Sequence, residues 1–444
     1  MSLSPTPHPL PIDLLIEPRW LIPIEPAGIV LENHALAVDQ GRIVALLPAW
    51  EAAEQFSPRE RVHLPGHALL PGFVNLHAHA AMTLLRGYAD DLPLMAWLQD
   101  RIWPAENRHL SPRFVRDGTL LACWEMLRGG ITCFNDMYFF PESAAESVLE
   151  AGIRAALGIT VIEFPTGYAA DADDYLAKGL AVRDTLRHEP LISFCMAPHA
   201  PYTVADRTFG HIATLAAQLD LPIHVHVHET LAEVEEGVRQ HGIRPVERLH
   251  RLGLLGPNLI AVHAVHLLPD EIRLLGRYGC AVAHCPTSNM KLASGIPPVT
   301  DLLAAGVRVG LGTDGAASNN RLDMLREIRH AALLAKVASG DAATLDAHRA
   351  LRMATLDGAT ALGLEHDIGS IVPGKSADLC AIRLDDWLTQ PCHNAASHLV
   401  YVAGRENVSH VWVAGKMRIH DGYPVDPVQP RLLGLANMWH TEMQ

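Results

Sequence analysis

The pattern of apolar and polar positions changes twice along the 444-residue chain. In the first 70 residues the apolar runs are short, at 29–31, 34–38, 42–47 and 62–63. Turn residues such as Asp39-Gln40-Gly41 separate them, which predicts short strands. The tail from about residue 368 to 423 repeats this, with strands expected at 377–382, 408–413 and 415–420. Between them, from residue 69 to about 364, short apolar runs alternate with longer helical stretches, as in β/α units around a parallel sheet. Eight strands are expected, at 70–77, 131–135, 155–161, 191–196, 222–228, 259–263, 281–284 and 307–312. The clearest helix, 320–338, puts Leu322, Leu325, Ile328 and Ala332 on one face. The pattern predicts an α/β protein. A (β/α)8 TIM barrel would span 70–367, and residues 1–69 plus 368–444 would pair as a small flanking β-sandwich domain.

Barrels of this kind carry their chemistry where strands end at the C-terminal face. Those ends hold His77 and His79, His199, His226 with Glu229, His263, His284 and Asp314. With 26 histidines in the chain, so regular a placement is the strongest signal in the sequence. His77 and His79, two apart, share a strand face and can reach one ion at about 2.0–2.1 Å. Asp314 supplies a carboxylate from across the barrel. His224, His226 and His228 also share a face, so alternation alone does not choose among them. We assign His226 as the ligand and Glu229, where strand gives way to loop, as proton carrier, with His224 and His228 packed around the site.

Rival motifs fail on their own requirements. His228-Glu229 would open HExxH, but position 232 is Ala. No PCxxC zinc motif exists. Gly310 to Gly315 fits GxGxxG formally, but it follows the eighth strand and places Asp314 where a pyrophosphate would sit. Strand four ends without the lysine that a bridged two-metal centre needs, so one metal ion is expected. Zinc comes first, although this donor set also suits iron or manganese.

Composition narrows the partners. Apolar residues make up 49%, enough for a large core. With 35 basic and 49 acidic residues the formal charge is −14, which argues against nucleic acid and favours a neutral or cationic small molecule. The cysteines at 123, 133, 195, 280, 285, 380 and 392 form no CxxC pair, and the N-terminus lacks a secretory pattern. No run of 18 apolar residues exists. A cytoplasmic protein with reduced thiols and no membrane span is expected.

These residues resemble the amidohydrolase superfamily in its mononuclear aminohydrolase branch. The likeness runs nearly end to end, through Pro71-Gly72-Phe73-Val74-Asn75-Leu76-His77-Ala78-His79, His284-Cys285-Pro286-Thr287-Ser288-Asn289, Gly312-Thr313-Asp314-Gly315 and the stretch 369–379. Within the branch the chain is similar to the 5-methylthioadenosine/S-adenosylhomocysteine deaminases, through Trp103-Pro104-Ala105-Glu106, Ala197-Pro198-His199-Ala200-Pro201-Tyr202 and the run 314–320. The resemblance implies hydrolytic deamination of an adenine ring to the inosine analogue plus ammonia. Glu106 would bind the ribose hydroxyls and His199 would touch the substrate. A departure is that some members carry a substrate-contacting Arg after strand three, whereas Leu157-Gly158-Ile159-Thr160 has none.

The implied mechanism uses a metal on His77, His79, His226 and Asp314. Glu229 protonates the ring nitrogen, Asp314 relays a proton to the departing amine, and His263 orients the nucleophile and stabilises the tetrahedral carbon. His284 is expected to be structural, and packing is the default for Trp97 and Trp103. The implied partners are a purine nucleoside and copies of the chain itself, as a dimer or tetramer. The alternatives are deamination or dechlorination of another purine, pterin or triazine ring, and a scaffold without activity.

Overall fold

The computed structural model describes residues 9–444. Eight parallel strands form the central sheet in strict sequence order: Phe73–Ala78, Ile131–Asp136, Arg154–Val161, Ile192–Pro198, Ile223–Val227, Leu259–His263, Ala281–His284 and Arg308–Leu311. Helices follow the strands and pack outside, so nearly every strand residue is buried on both faces, as parallel sheets require. The strands run as expected, give or take a few residues at each end.

The seam between strands one and eight is held differently from the rest. It lacks a backbone ladder. The Asn75 amide instead donates to Thr313 Oγ1 at 2.8 Å and accepts from the Thr313 backbone N–H at 2.9 Å. One backbone bond, Asp314 N–H to the His77 carbonyl at 3.0 Å, joins the two strand ends. This close approach explains the glycines of the GxGxxG-like run. A Cβ at Gly310 would lie 2.6 Å from Leu76, and one at Gly312 would lie 2.8 Å from the His77 Cβ. The glycines serve barrel closure, and no phosphate is needed to account for them.

Both ends of the chain build one nine-stranded mixed sheet beside the barrel. Its centre is a 12-residue strand, Leu10–Leu21, parallel to the 16-residue Phe56–Pro71, with Leu379–Arg383 antiparallel to the latter. Leu14, Ile16, Leu36, Leu69, Leu379 and Trp412 share its inner core. Sequence reading missed Leu10–Leu21 and saw only residues 62–63 of the second strand. Pro11, Pro18, Pro58 and Pro65 interrupt both patterns, and Pro18 borders a shift of register that absorbs it.

The helix expected at 320–338 begins later, at Met324–Ser339. Asp323 caps it by accepting from the Arg326 N–H at 3.3 Å. The preceding residues are taken out of the helix by side-chain bonds: Ser318 to Asp314, and Asn319 to the Thr313 carbonyl and Glu327. The tail also carries two helices that the strand pattern hid, Ala395–Tyr401 and Gln429–Glu442. No helix among the described residues is long and apolar enough to cross a membrane. All seven cysteines are free, and six of them are buried.

Candidate active site

Three of the strand ends turn into their loops through a local backbone device. His228, His263 and Asp314 all have positive φ, at 56°, 69° and 61°. Non-glycine residues adopt this region at a cost of order 1–3 kcal/mol, and here it turns the chain from strand direction into the loops over the barrel mouth.

The imidazoles are oriented through their Nδ1 atoms. That of His79 donates to the Met137 carbonyl at 2.7 Å, and that of His226 to the His199 carbonyl at 2.7 Å. A carbonyl only accepts, so both rings keep the proton on Nδ1 and present a lone pair at Nε2. His77 Nδ1 meets His224 Nε2 at 2.9 Å, and His263 Nδ1 meets Asn289 Oδ1 at 2.8 Å. Burial pushes the His77 pKa down to about 4 and that of His226 well below the usual histidine range, so these two rings are neutral near pH 7.

The result is a knot of acceptors. The Nε2 atoms of His77 and His226 lie 3.3 Å apart, and Asp314 Oδ1 lies 3.2 Å from His77 Nε2 and 3.3 Å from His79 Nε2. Lone pairs and a carboxylate facing one another at these distances repel unless a proton or a cation lies between them. The donor atoms of His77, His79 and His226 lie within 4.8 Å of one another, as do those of His77, His263 and Asp314. Three imidazole nitrogens and one carboxylate oxygen fit a zinc-like divalent ion.

Asp314 is held from several sides. Its Oδ2 accepts from Ser288 at 2.6 Å and Ser318 at 2.9 Å, and its Oδ1 accepts from the Gly315 N–H at 2.7 Å. Burial would raise its pKa, but the adjoining His77 and the surrounding imidazoles win and hold the carboxyl well below its usual range. Glu229 is its opposite. Burial first, then the Asp314 charge, push it up to about 8, so it carries a proton at neutral pH. Glu229 Oε2 sits 3.8 Å from His263 Nε2. The buried Glu233 carboxylate fixes the loop by accepting from the backbone N–H groups of His228 at 2.9 Å and Glu229 at 2.8 Å.

These groups lie under a cavity of about 360 Å³. Glu106 lines its wall, buried, with the Tyr138 hydroxyl donating to it at 2.6 Å. Burial raises its pKa to about 7 against the lowering effect of that bond. His199 lines it too, with its Nδ1 3.0 Å from Thr203 Oγ1 and its ring edge-on to Tyr202. His79, His226, Glu229, His263 and Asp314 also border the cavity, while the fully buried His77 sits behind them. Trp97 and Trp103, for which packing was the default, are cavity walls.

The structure separates the three histidines of strand five. His226 joins the cluster, His224 lies behind His77, and His228 points away, with its Nε2 accepting from the Val246 N–H at 3.3 Å. His284 is buried outside the cavity lining. Sequence reasoning missed Tyr138, Glu233, Asn289, Ser288 and Ser318 as working groups. The last three stand inside motifs already singled out, which was the available signal.

Known proteins match this architecture closely. The chain is 47% identical over 408 residues, 92% of each partner, to a 5-methylthioadenosine/S-adenosylhomocysteine deaminase of Teredinibacter turnerae. It is 46% identical over 406 residues, 91% of each, to the same enzyme of Saccharophagus degradans. A crystal structure of an adenosine deaminase from Xanthomonas campestris with bound zinc superimposes with a TM-score of 0.97 at 50% identity, covering 98% of this chain and 99% of that one. The amidohydrolase family model matches residues 68–418. With its strand-end cluster, its barrel and four-fifths of its length inside that match, the chain belongs to the amidohydrolase family.

Proposed function

We propose that this protein is a hydrolase acting on a cyclic amidine, removing the 6-amino group of adenine nucleosides such as 5′-methylthioadenosine, S-adenosylhomocysteine and adenosine. The observation that carries this reading is one cavity holding the histidine–aspartate cluster at its floor, a buried Glu229 beside it and a buried Glu106 on its wall. His77, His79, His226 and Asp314 would hold one divalent ion, zinc by the chemistry of the donors. When bound, such an ion acts as a Lewis acid and lowers the pKa of water from 15.7 to about 7.

The protein's own groups account for the protons. Asp314, kept ionised, accepts one proton from the attacking water and passes it to the amine, which leaves as ammonia. Glu229 gives its proton to ring N1, so that C6 can accept the electron pair. It then regains one from the new hydroxyl as the inosine analogue forms. His263 donates Nδ1–H to Asn289, so its Nε2 has a lone pair and orients the nucleophile by accepting from it. Stabilising the tetrahedral oxygen by donation, the second role expected of His263, would require an imidazolium, and burial disfavours that charge. His199 contributes an edge to the ring-binding wall.

Glu106 discriminates nucleosides from free bases. Two ribose hydroxyls donating to one carboxylate are charge-assisted bonds worth about 1.5–3 kcal/mol each. Glu106→Gln is therefore expected to raise KM for nucleosides by about 10- to 100-fold while leaving adenine itself unaffected. Ammonia release from methylthioadenosine, S-adenosylhomocysteine, adenosine, guanine and a triazine, with zinc present, tests the substrate class. Turnover confined to a free base would overturn the ribose role.

The same group sets a pH dependence. Its ionised form accepts from both hydroxyls through stronger, charge-assisted bonds than the acid form can make, and its pKa is raised to about 7. KM for adenosine should fall as pH rises through about 7, and this slope should flatten in Glu106→Gln. A dimer or tetramer is the expected assembly.

A further inference from the structure

Resting on the nucleoside reading, we propose that the mouth of this cavity selects 5′ substituents without a carboxylate, so that methylthioadenosine and adenosine are preferred over S-adenosylhomocysteine. The direction of the substrate follows from the cavity's two ends. The metal-binding cluster closes the floor where the purine reacts, and Glu106 marks the ribose, so the 5′ substituent runs toward the opening. Trp103 stands one helical turn before Glu106, on the same helix face. Its ring meets that of Phe164 edge-on, with centroids 5.9 Å apart, and Phe164 is 40% exposed. These two rings wall the exit.

The charge of the lining decides which tail fits. Among the described residues no Lys or Arg lines the cavity, and its ionisable groups are Glu106, Glu229, Asp314, the phenols Tyr138 and Tyr202, and histidines. Glu163, exposed, precedes Phe164 in the chain and spends one oxygen on the Ala205 N–H at 2.9 Å. The neutral polar neighbours Asn107 and Thr166 offer single hydrogen bonds without charge. A methylthio group or a longer thioether loses only water against Trp103 and Phe164. The homocysteine tail ends in an ammonium and a carboxylate. The ammonium has acidic groups available, but the carboxylate meets aromatic faces in a chain of net charge −14, with no Lys or Arg among the described lining residues to pair it.

The test compares kcat/KM for methylthioadenosine, 5′-butylthioadenosine and S-adenosylhomocysteine on the zinc-loaded enzyme. The butylthio compound matches the length of the homocysteine tail without its charges, so size and charge are read separately. Butylthioadenosine should stay within about 10-fold of methylthioadenosine, and S-adenosylhomocysteine should fall at least about 100-fold below the butylthio compound. Equal turnover of the latter two would overturn the inference while leaving the deaminase reading intact. Turnover of none of the three would overturn that reading and the inference with it. In Phe164→Arg the ratio of S-adenosylhomocysteine to butylthioadenosine should rise at least about 10-fold, because a guanidinium then faces the carboxylate. An unchanged ratio in a variant that still turns over butylthioadenosine would overturn the role given to the exit.

Discussion

Glu229→Gln should retain its metal and lose nearly all turnover. The substitution keeps size and burial but removes the proton that must reach ring N1. A positioned acid contributes about 10²- to 10⁴-fold, which corresponds to roughly 3–5 kcal/mol of barrier. The loss should appear in kcat, with KM little changed, because the group acts on the transition state. Metal analysis of the purified variant and steady-state kinetics on adenosine check this together. Activity above a tenth of the parent's would sink the proton-carrier role. Glu233 makes the outcome sharper, since its carboxylate holds the backbone at 228 and 229 whichever residue stands at 229.

Removing the metal should be more damaging still. Lowering the pKa of water from 15.7 to about 7 removes roughly 12 kcal/mol of deprotonation cost at neutral pH, more than any one acid or base supplies. Dialysis against a chelator should take turnover below detection, and one equivalent of zinc should restore it. Iron or manganese would restore it to the extent that each suits three imidazoles and a carboxylate. The apoprotein should also melt at a lower temperature, because it retains facing acceptors without a cation. Full activity of metal-free protein, verified by metal analysis, would overturn the assignment of the cluster.

Much of this site was legible because the chemistry coincides with strand ends. His77, His79, His263 and Asp314 each follow an apolar run, so their place at the barrel mouth could be read from alternation and order alone. His226 was harder. Its neighbours His224 and His228 have the same spacing, and what separates the three is the His199 carbonyl just past the adjacent strand and the positive φ of His228. Neither is a property of the segment itself. Tyr138, Ser288, Ser318 and Glu233 were invisible as working groups for a related reason: hydroxyls and carboxylates are common, and their roles exist only once tertiary structure brings an Asp314 or a Glu106 to them. The long strands Leu10–Leu21 and Phe56–Pro71 were hidden by prolines, which sheet edges and bulges tolerate although local propensity disfavours them.

The seam between the first and eighth strands gives the metal cluster a second meaning. His77 and His79 lie on one lip of the seam and Asp314 on the other, more than 230 residues apart along the chain, with the side chains of Asn75 and Thr313 as the stitching between them. Contacts so distant in sequence are the costliest for a folding chain to close. An ion shared by both lips would therefore act as a clasp on the barrel. Substitutions at His77, His79 or Asp314 would then press on the closing of the fold and on the reaction through the same few atoms.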